Sequence, residues 1–267
     1  MGRVPRIPAR RRTSRRAASP ARTTGSARRK HRAVRRSRCA RPFPGPPAPP
    51  SSSSRPRQAD VNWLTDTRTS YDTVAEDYAT FVRDALGKQP YLLAALRLFA
   101  EQVSDGPVAD LGCGPGQVTA HLNELGVAAY GVDLSPGMIE VARRDYPKLR
   151  FEVGSMTDPL PTASLAGIVA WQSVIHLPDD RLPDVLANFR QALRPSGVLQ
   201  LLFHVGDETR LKTEGYGGHP MKVQVHRRPR ERLTNWLRDA GFTVEAELLL
   251  NPETPAPQAL LTARRRQ

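Results

Sequence analysis

The chain has 267 residues, with 40 Lys and Arg against 26 Asp and Glu, yet its formal charge of +14 is gathered at one end. Residues 1–57 hold 18 basic residues and no acidic one, so the remainder carries 40 − 18 = 22 basic against 26 acidic residues, a net of −4. The high overall charge is therefore no sign of a polyanion-binding fold, two cysteines (Cys39 and Cys113) do not make a disulfide scaffold, and no apolar run approaches the ~18 residues of a membrane-spanning helix.

Residues 1–57 are Arg, Ser, Ala and Pro, with a Pro-rich run from Pro42 to Pro50 and a Ser run from Ser51 to Ser54. Such a segment has too little apolar surface to offset its ordering entropy, which predicts disorder. Three readings compete for it: a tether making non-specific contact with nucleic acid or another anionic surface, an Arg- and Ser-rich targeting peptide, and sequence upstream of a true start near Val61. The abrupt change of charge where the fold-like pattern begins favours the third. A secretory leader is not expected, and the sparse cysteines suit a reducing cytoplasm.

Residues 61–267 suit one α/β domain. Thr69 to Leu86 carries Val74, Tyr78, Phe81 and Val82 at helical spacing, with Ser70 or Asp72 as the expected cap. A second helix, Pro90 to Val103, uses Leu92, Leu93, Leu96, Leu98 and Phe99. Strands are then predicted over Val108–Leu111, Ala128–Val132, Arg150–Val153, Gly167–Trp171 and Val198–His204. Helices between them are predicted over Gln117–Leu125, Pro136–Asp145 and Pro183–Leu193. This alternation implies a parallel sheet with helices on both faces. Val205 to Arg228 reads as a long glycine-containing loop, either a lid or a variable surface connection. A helix over Pro229–Ala240 and strand-like runs Phe242–Leu250 and Gln258–Arg264 suit an antiparallel ending to the sheet.

The chemistry-bearing stretch is Val108 to Thr119, in which Asp110, Gly112, Gly114 and Gly116 alternate with other residues. A strand leading into such a turn and then a helix lets a ligand lie against the main chain. The third glycine of a dinucleotide fingerprint would fall on Gln117, and the Gly-Lys-Ser/Thr of a phosphate loop is absent. Asp133, 21 residues after Gly112, ends the next strand, where an acid can accept both hydroxyls of a ribose. Ser135 is the better cap for the following helix, which frees Asp133 for a ligand.

These residues resemble the class I S-adenosylmethionine-dependent methyltransferases, of small-molecule type, over roughly Thr69 to Arg264. The resemblance implies a Rossmann-like sheet of order 3-2-1-4-5-7-6 with strand 7 antiparallel. It implies that residues 69–104 form a helical cap over the site and that S-adenosylmethionine is the cofactor. Asp110, Gly112, Gly114 and Gly116 match the first motif. Asp133 matches the ribose-binding acid, with Leu134 and Met138 flanking the adenine. Phe151 to Met156 match the third motif, but Ser155 stands where an acid is common, moving that contact to the Met156 backbone or to Asp158. Ala170 to Ser173 match the stretch bordering the methionine part of the cofactor. The Tyr-Asp-x-x-Ala-x-x-Tyr opening, Tyr71 to Tyr78, resembles that of small-molecule enzymes and suggests that Tyr71 contacts the cofactor.

Methyl transfer needs alignment, exclusion of water and, for a hydroxyl acceptor, a base. His176 and His204 follow strands four and five, at the carboxyl ends of strands where ligands bind in open α/β sheets, and are the candidate bases; the alternative for each is a hydrogen-bonded wall residue. Trp171 offers either a ring face for a sulfonium or plain packing. No Asn/Asp-Pro-Pro-aromatic run, Pro-Cys nucleophile or Cys/His cluster with zinc spacing is present, so no metal is expected. The acceptor expected is a small molecule. An RNA or protein methyltransferase tethered by the tail, and a cofactor-binding regulator without transfer, stand as alternatives.

Overall fold

The computed structural model describes residues 58–267, so the three readings of the basic tail lie outside the described residues. Two helices open this part, α1 (Gln58–Val82) and α2 (Pro90–Gln102). The alternation follows as β1 (Val108–Leu111), α3 (Gln117–Glu124), β2 (Ala129–Asp133), α4 (Pro136–Asp145), β3 (Phe151–Val153), β4 (Leu165–Trp171), α5 (Leu182–Ala192) and β5 (Leu193–His204). The chain then forms β6 (Thr209–Glu214), β7 (Pro220–His226), α6 (Arg230–Asp239), β8 (Phe242–Leu250) and β9 (Gln258–Arg265).

The main sheet runs β3-β2-β1-β4-β5-β9-β8. Renumbering its last two strands in chain order gives the expected 3-2-1-4-5-7-6. Strands β1 to β5 pair in parallel, and β9 is antiparallel to both β5 and β8. Alternate residues of each strand face opposite layers. Ile168 and Ala170 of β4 join the α5 and α6 side, with Phe189, Leu233 and Phe203. Val169 and Trp171 join the α2 side, with Leu96, Phe99 and Leu122. Burial on both faces is why β4 reads as a continuous apolar run.

Helix α4 begins as expected, with Ser135 Oγ accepting from Met138 N at 3.1 Å and Pro136 in the first turn. Helix α1 differs from expectation. It starts at Gln58, so Ser70 and Asp72 lie mid-helix and cap nothing. Their side chains reach other elements instead. Ser70 Oγ accepts from Lys222 N at 2.8 Å. Asp72 Oδ1 accepts from Ser135 Oγ at 2.6 Å and from Gly137 N at 2.9 Å, at the start of α4.

The segment expected to be a loop, Val205 to Arg228, is largely an antiparallel hairpin of β6 and β7. Met221 and Val223 alternate with exposed residues and pack on Val74 and Ala75 of α1. A long insertion earns its order here by giving α1 a second apolar surface. Helix α2 contributes chiefly to the sheet core, so the covering element over the strand ends is α1 backed by this hairpin.

Candidate cofactor and acceptor site

The site lies at the carboxyl ends of β1, β2 and β4, under α1. A cavity reaches from Gly112, Gly114 and Asp133 to Trp63, Tyr71 and His176. Its floor is the glycine loop. Gly112 has φ +76°, and a Cβ there would sit 2.3 Å from Ser173 Cβ, so only glycine lets the loop after β4 close against the turn. Gly116, at φ +90°, instead lies against the ring of Phe151, which a Cβ would meet at 2.8 Å. Its role is to seat α3 against β3, and it does not line the cavity.

Asp133 projects at the end of β2. Its Oδ2 accepts from Gly114 N at 2.8 Å and its Oδ1 from Ser135 N at 2.9 Å. The carboxylate is therefore aimed by the backbone of both neighbouring turns, and each oxygen retains capacity to accept from a ligand hydroxyl. Burial raises its pKa to about 6; the two N–H bonds pull it down, and Asp72 pushes it up.

Asp110 behaves differently. It accepts from Thr119 Oγ1 at 2.6 Å beneath the loop, and burial raises it to about 7 against the effect of that bond. It borders a second, more open cavity that shares Tyr71, Tyr78, Gly112, Gly114, Trp171 and Gln172 with the first. His204 lines that second cavity, away from His176. Its Nδ1 is buried without a partner among the described residues, and burial, then Arg227, lowers its pKa.

Leu134, Met138, Ser155 and Met156 line the β2–β3 side of the first cavity. Ser155 Oγ is engaged with Thr157, and Asp158 Oδ2 accepts from Ser155 N at 3.1 Å, outside the cavity lining. Trp171 closes the β4 side. Its Nε1 is buried without a partner among the described residues.

His176 sits in a 3-10 turn, Val174–His176, just after β4. Arg228, buried, fixes that turn by donating to Val174 O at 3.1 Å and to Leu177 O, with Asp179 Oδ1 at 2.8 Å as its counter-charge. His176 Nε2 lies 2.8 Å from Tyr71 Oη, and its Nδ1 lies 2.9 Å from the Gln224 carbonyl on β7. Burial brings its pKa down to about 4; the Gln224 bond opposes this, while His226, His204 and Lys212 add to it.

Several lining residues on α1 escaped the sequence reading. Trp63 and Thr67 lie two turns and one turn before Tyr71 on α1, a spacing that would have revealed them had the helix been extended toward the tail. Arg68, beside them, has Asp72 3.9 Å away. Gln172 borders both cavities and holds φ +53°, unusual for a residue with a Cβ. It belongs to the Ala170 to Ser173 stretch that the sequence reading sets beside the methionine part of the cofactor.

Sheet order, glycine turn and strand-end acid together define the class I S-adenosylmethionine-dependent methyltransferase fold. Residues 108–197 match the family described as "Methyltransferase domain". A trans-aconitate 2-methyltransferase of Escherichia coli is 40% identical over 94 residues, 34% of this chain and 36% of that protein. The chain thus matches little more than a third of the length of these curated relatives. A solved Burkholderia thailandensis 1,6-didemethyltoxoflavin-N1-methyltransferase, with bound 1,6-didemethyltoxoflavin and S-adenosylhomocysteine, superposes with a TM-score of 0.60. It is 23% identical, over 80% of this chain and 94% of that one. The DhpI–S-adenosylhomocysteine complex superposes with a TM-score of 0.60 at 22% identity, over 76% of this chain and 97% of that one. The [4+2]-cyclase SpnF has the same fold, with a TM-score of 0.56 at 17% identity, over 76% and 97% of the two chains.

Among the described residues no helix is long and apolar enough to cross a membrane.

Proposed function

We propose that the chain binds S-adenosylmethionine and catalyses methyl transfer to a small-molecule acceptor. The observation that carries this reading is the Asp133 carboxylate, aimed by two backbone N–H groups into a cavity floored by Gly112 and Gly114. The cofactor, when bound, supplies a methyl group already activated on a sulfonium. Asp133 would accept the ribose hydroxyls. Leu134, Met138, Ser155 and Met156 would enclose the adenine, and Gly112, Gly114 and Trp171 the methionine part. Trp63, Thr67 and His176 then remain to line the acceptor end. Helix α1 and the hairpin exclude water from it.

The fold also carries a protein described as a [4+2]-cyclase, so cofactor binding alone does not establish transfer. The deciding experiment incubates the full chain with methyl-labelled S-adenosylmethionine and fractionated metabolite pools, and reads label in a small product together with released S-adenosylhomocysteine. Label appearing only in RNA or protein, and lost when residues 1–57 are removed, would favour the tethered alternative. Tight cofactor binding with no release in any pool would favour a regulator. A reducing cytoplasm is part of this reading, and the free, buried thiol of Cys113 is consistent with it.

A further inference from the structure

Tyr71 and His176 meet in the cavity from opposite sides, one on α1 and the other after β4. The two hydrogen bonds of the imidazole fix where its proton sits. The Gln224 carbonyl can only accept, so His176 Nδ1 carries the hydrogen across the 2.9 Å contact. Burial keeps the ring neutral, which leaves Nε2 bare. A bare nitrogen can only accept, so Tyr71 donates its hydroxyl proton across 2.8 Å. The remaining lone pairs of Tyr71 Oη are then the part of this pair left to meet a ligand. Neither nitrogen of His176 is free to touch substrate, in contrast to a directly acting base, one of the two roles that the sequence leaves open for it.

We propose, on the methyl-transfer reading above, that the acceptor is a protic group X–H, with X oxygen or nitrogen, whose proton passes to Tyr71 and onward to His176. The X–H bond breaks with its electron pair kept on X. Tyr71 Oη gains that proton as its own moves to His176 Nε2. The resulting imidazolium is hydrogen-bonded at both nitrogens, to Tyr71 Oη and to the Gln224 carbonyl. Tyr71 is the catalytic residue, and His176 acts through it. An ionised carboxylate has no proton to give and sets its lone pairs against those of Tyr71. Among the described lining residues the single Lys or Arg is Arg68, which is exposed and already faces Asp72 at 3.9 Å. The hairpin enters this arrangement directly, since its backbone selects the tautomer.

The test uses the full chain in two measurements. Nitrogen-15 NMR of the imidazoles should show His176 protonated on Nδ1 and bare on Nε2 between about pH 6 and 8. With S-adenosylhomocysteine saturating, phenol should bind at least about tenfold more tightly than benzoate, two ring-matched probes differing in the group offered to Tyr71. In His176→Phe the freed Tyr71 hydroxyl can donate into the cavity, and in Tyr71→Phe no oxygen remains; both should narrow the ratio to about threefold or less. A proton on Nε2, benzoate binding as tightly as phenol, or a ratio unchanged in both variants would overturn the proposal. Failure to bind S-adenosylhomocysteine would instead remove the methyl-transfer reading. The tautomer and the phenol–benzoate ratio, measured then on the ligand-free chain, still judge the orientation of Tyr71.

Discussion

The glycine-loop side of the cavity and the cap side are built by different means. The loop side is backbone work: Gly114 N and Ser135 N aim Asp133, and Gly112 admits the loop carrying Ser173. The residues that aim Asp133 lie within about one strand–turn–helix unit of each other, and only Ser173 comes from farther along the chain. The cap side is side-chain work across long separations. Asp72 reaches Ser135 and Gly137, Ser70 reaches Lys222, and Tyr71 reaches His176. A cradle made of backbone tolerates few substitutions, whereas a cap held by separate side-chain contacts should lose them one at a time.

The largest effect that tests this contrast is expected from Gly112→Ala. The new Cβ meets Ser173 at 2.3 Å in a left-handed backbone, so urea denaturation should show a loss of about 2–4 kcal/mol, with cofactor affinity falling as well. A loss under about 0.5 kcal/mol would mean that the loop is not rigid.

Asp72→Ala removes two cross-element hydrogen bonds while Ser135 keeps its bond to Met138 N. It should cost about 1–2 kcal/mol. Hydrogen exchange should rise in α1 and not in β1 or β2, and uniform acceleration would contradict a separable cap.

Asp110→Asn is expected to have the smallest effect, and a stabilising one. The Asp110 pKa is raised to about 7 from an ordinary value near 3.8, so the folded state holds a proton that the unfolded chain releases in between. The wild type therefore loses stability as pH rises from about 4 through 7. The Asn variant, which can still accept from Thr119, should melt about 2–4 °C higher at pH 8 and equal the wild type near pH 4. An advantage that grows toward low pH would refute the buried-carboxyl account.

The same contrast governs what could be read from the sequence. Parallel strands buried on both faces, the glycine turn and the strand-end acid leave local signatures, so the sheet and Asp133 were legible. Two devices were not. The Ser70 and Asp72 side chains are chemically suited to capping, and nothing local reveals that partners more than 60 residues away use them instead. The hairpin was masked by the glycines at its tip, although Met221, Val223 and Val225 alternate with polar residues as a half-buried strand should. His176 was found by position, but the direction of its hydrogen bonds depends on a carbonyl 48 residues later.

The central claim is that Asp133 and the glycine loop form an S-adenosylmethionine cradle. It is tested most directly by calorimetric titration of the full chain with S-adenosylhomocysteine at pH 7.5, for the wild type and for Asp133→Ala. The account predicts one site per chain in the wild type and about 10- to 100-fold weaker binding in the variant, the loss of hydrogen bonds to a charged acceptor. Absence of binding by the wild type, or equal affinity in the two proteins, would contradict it.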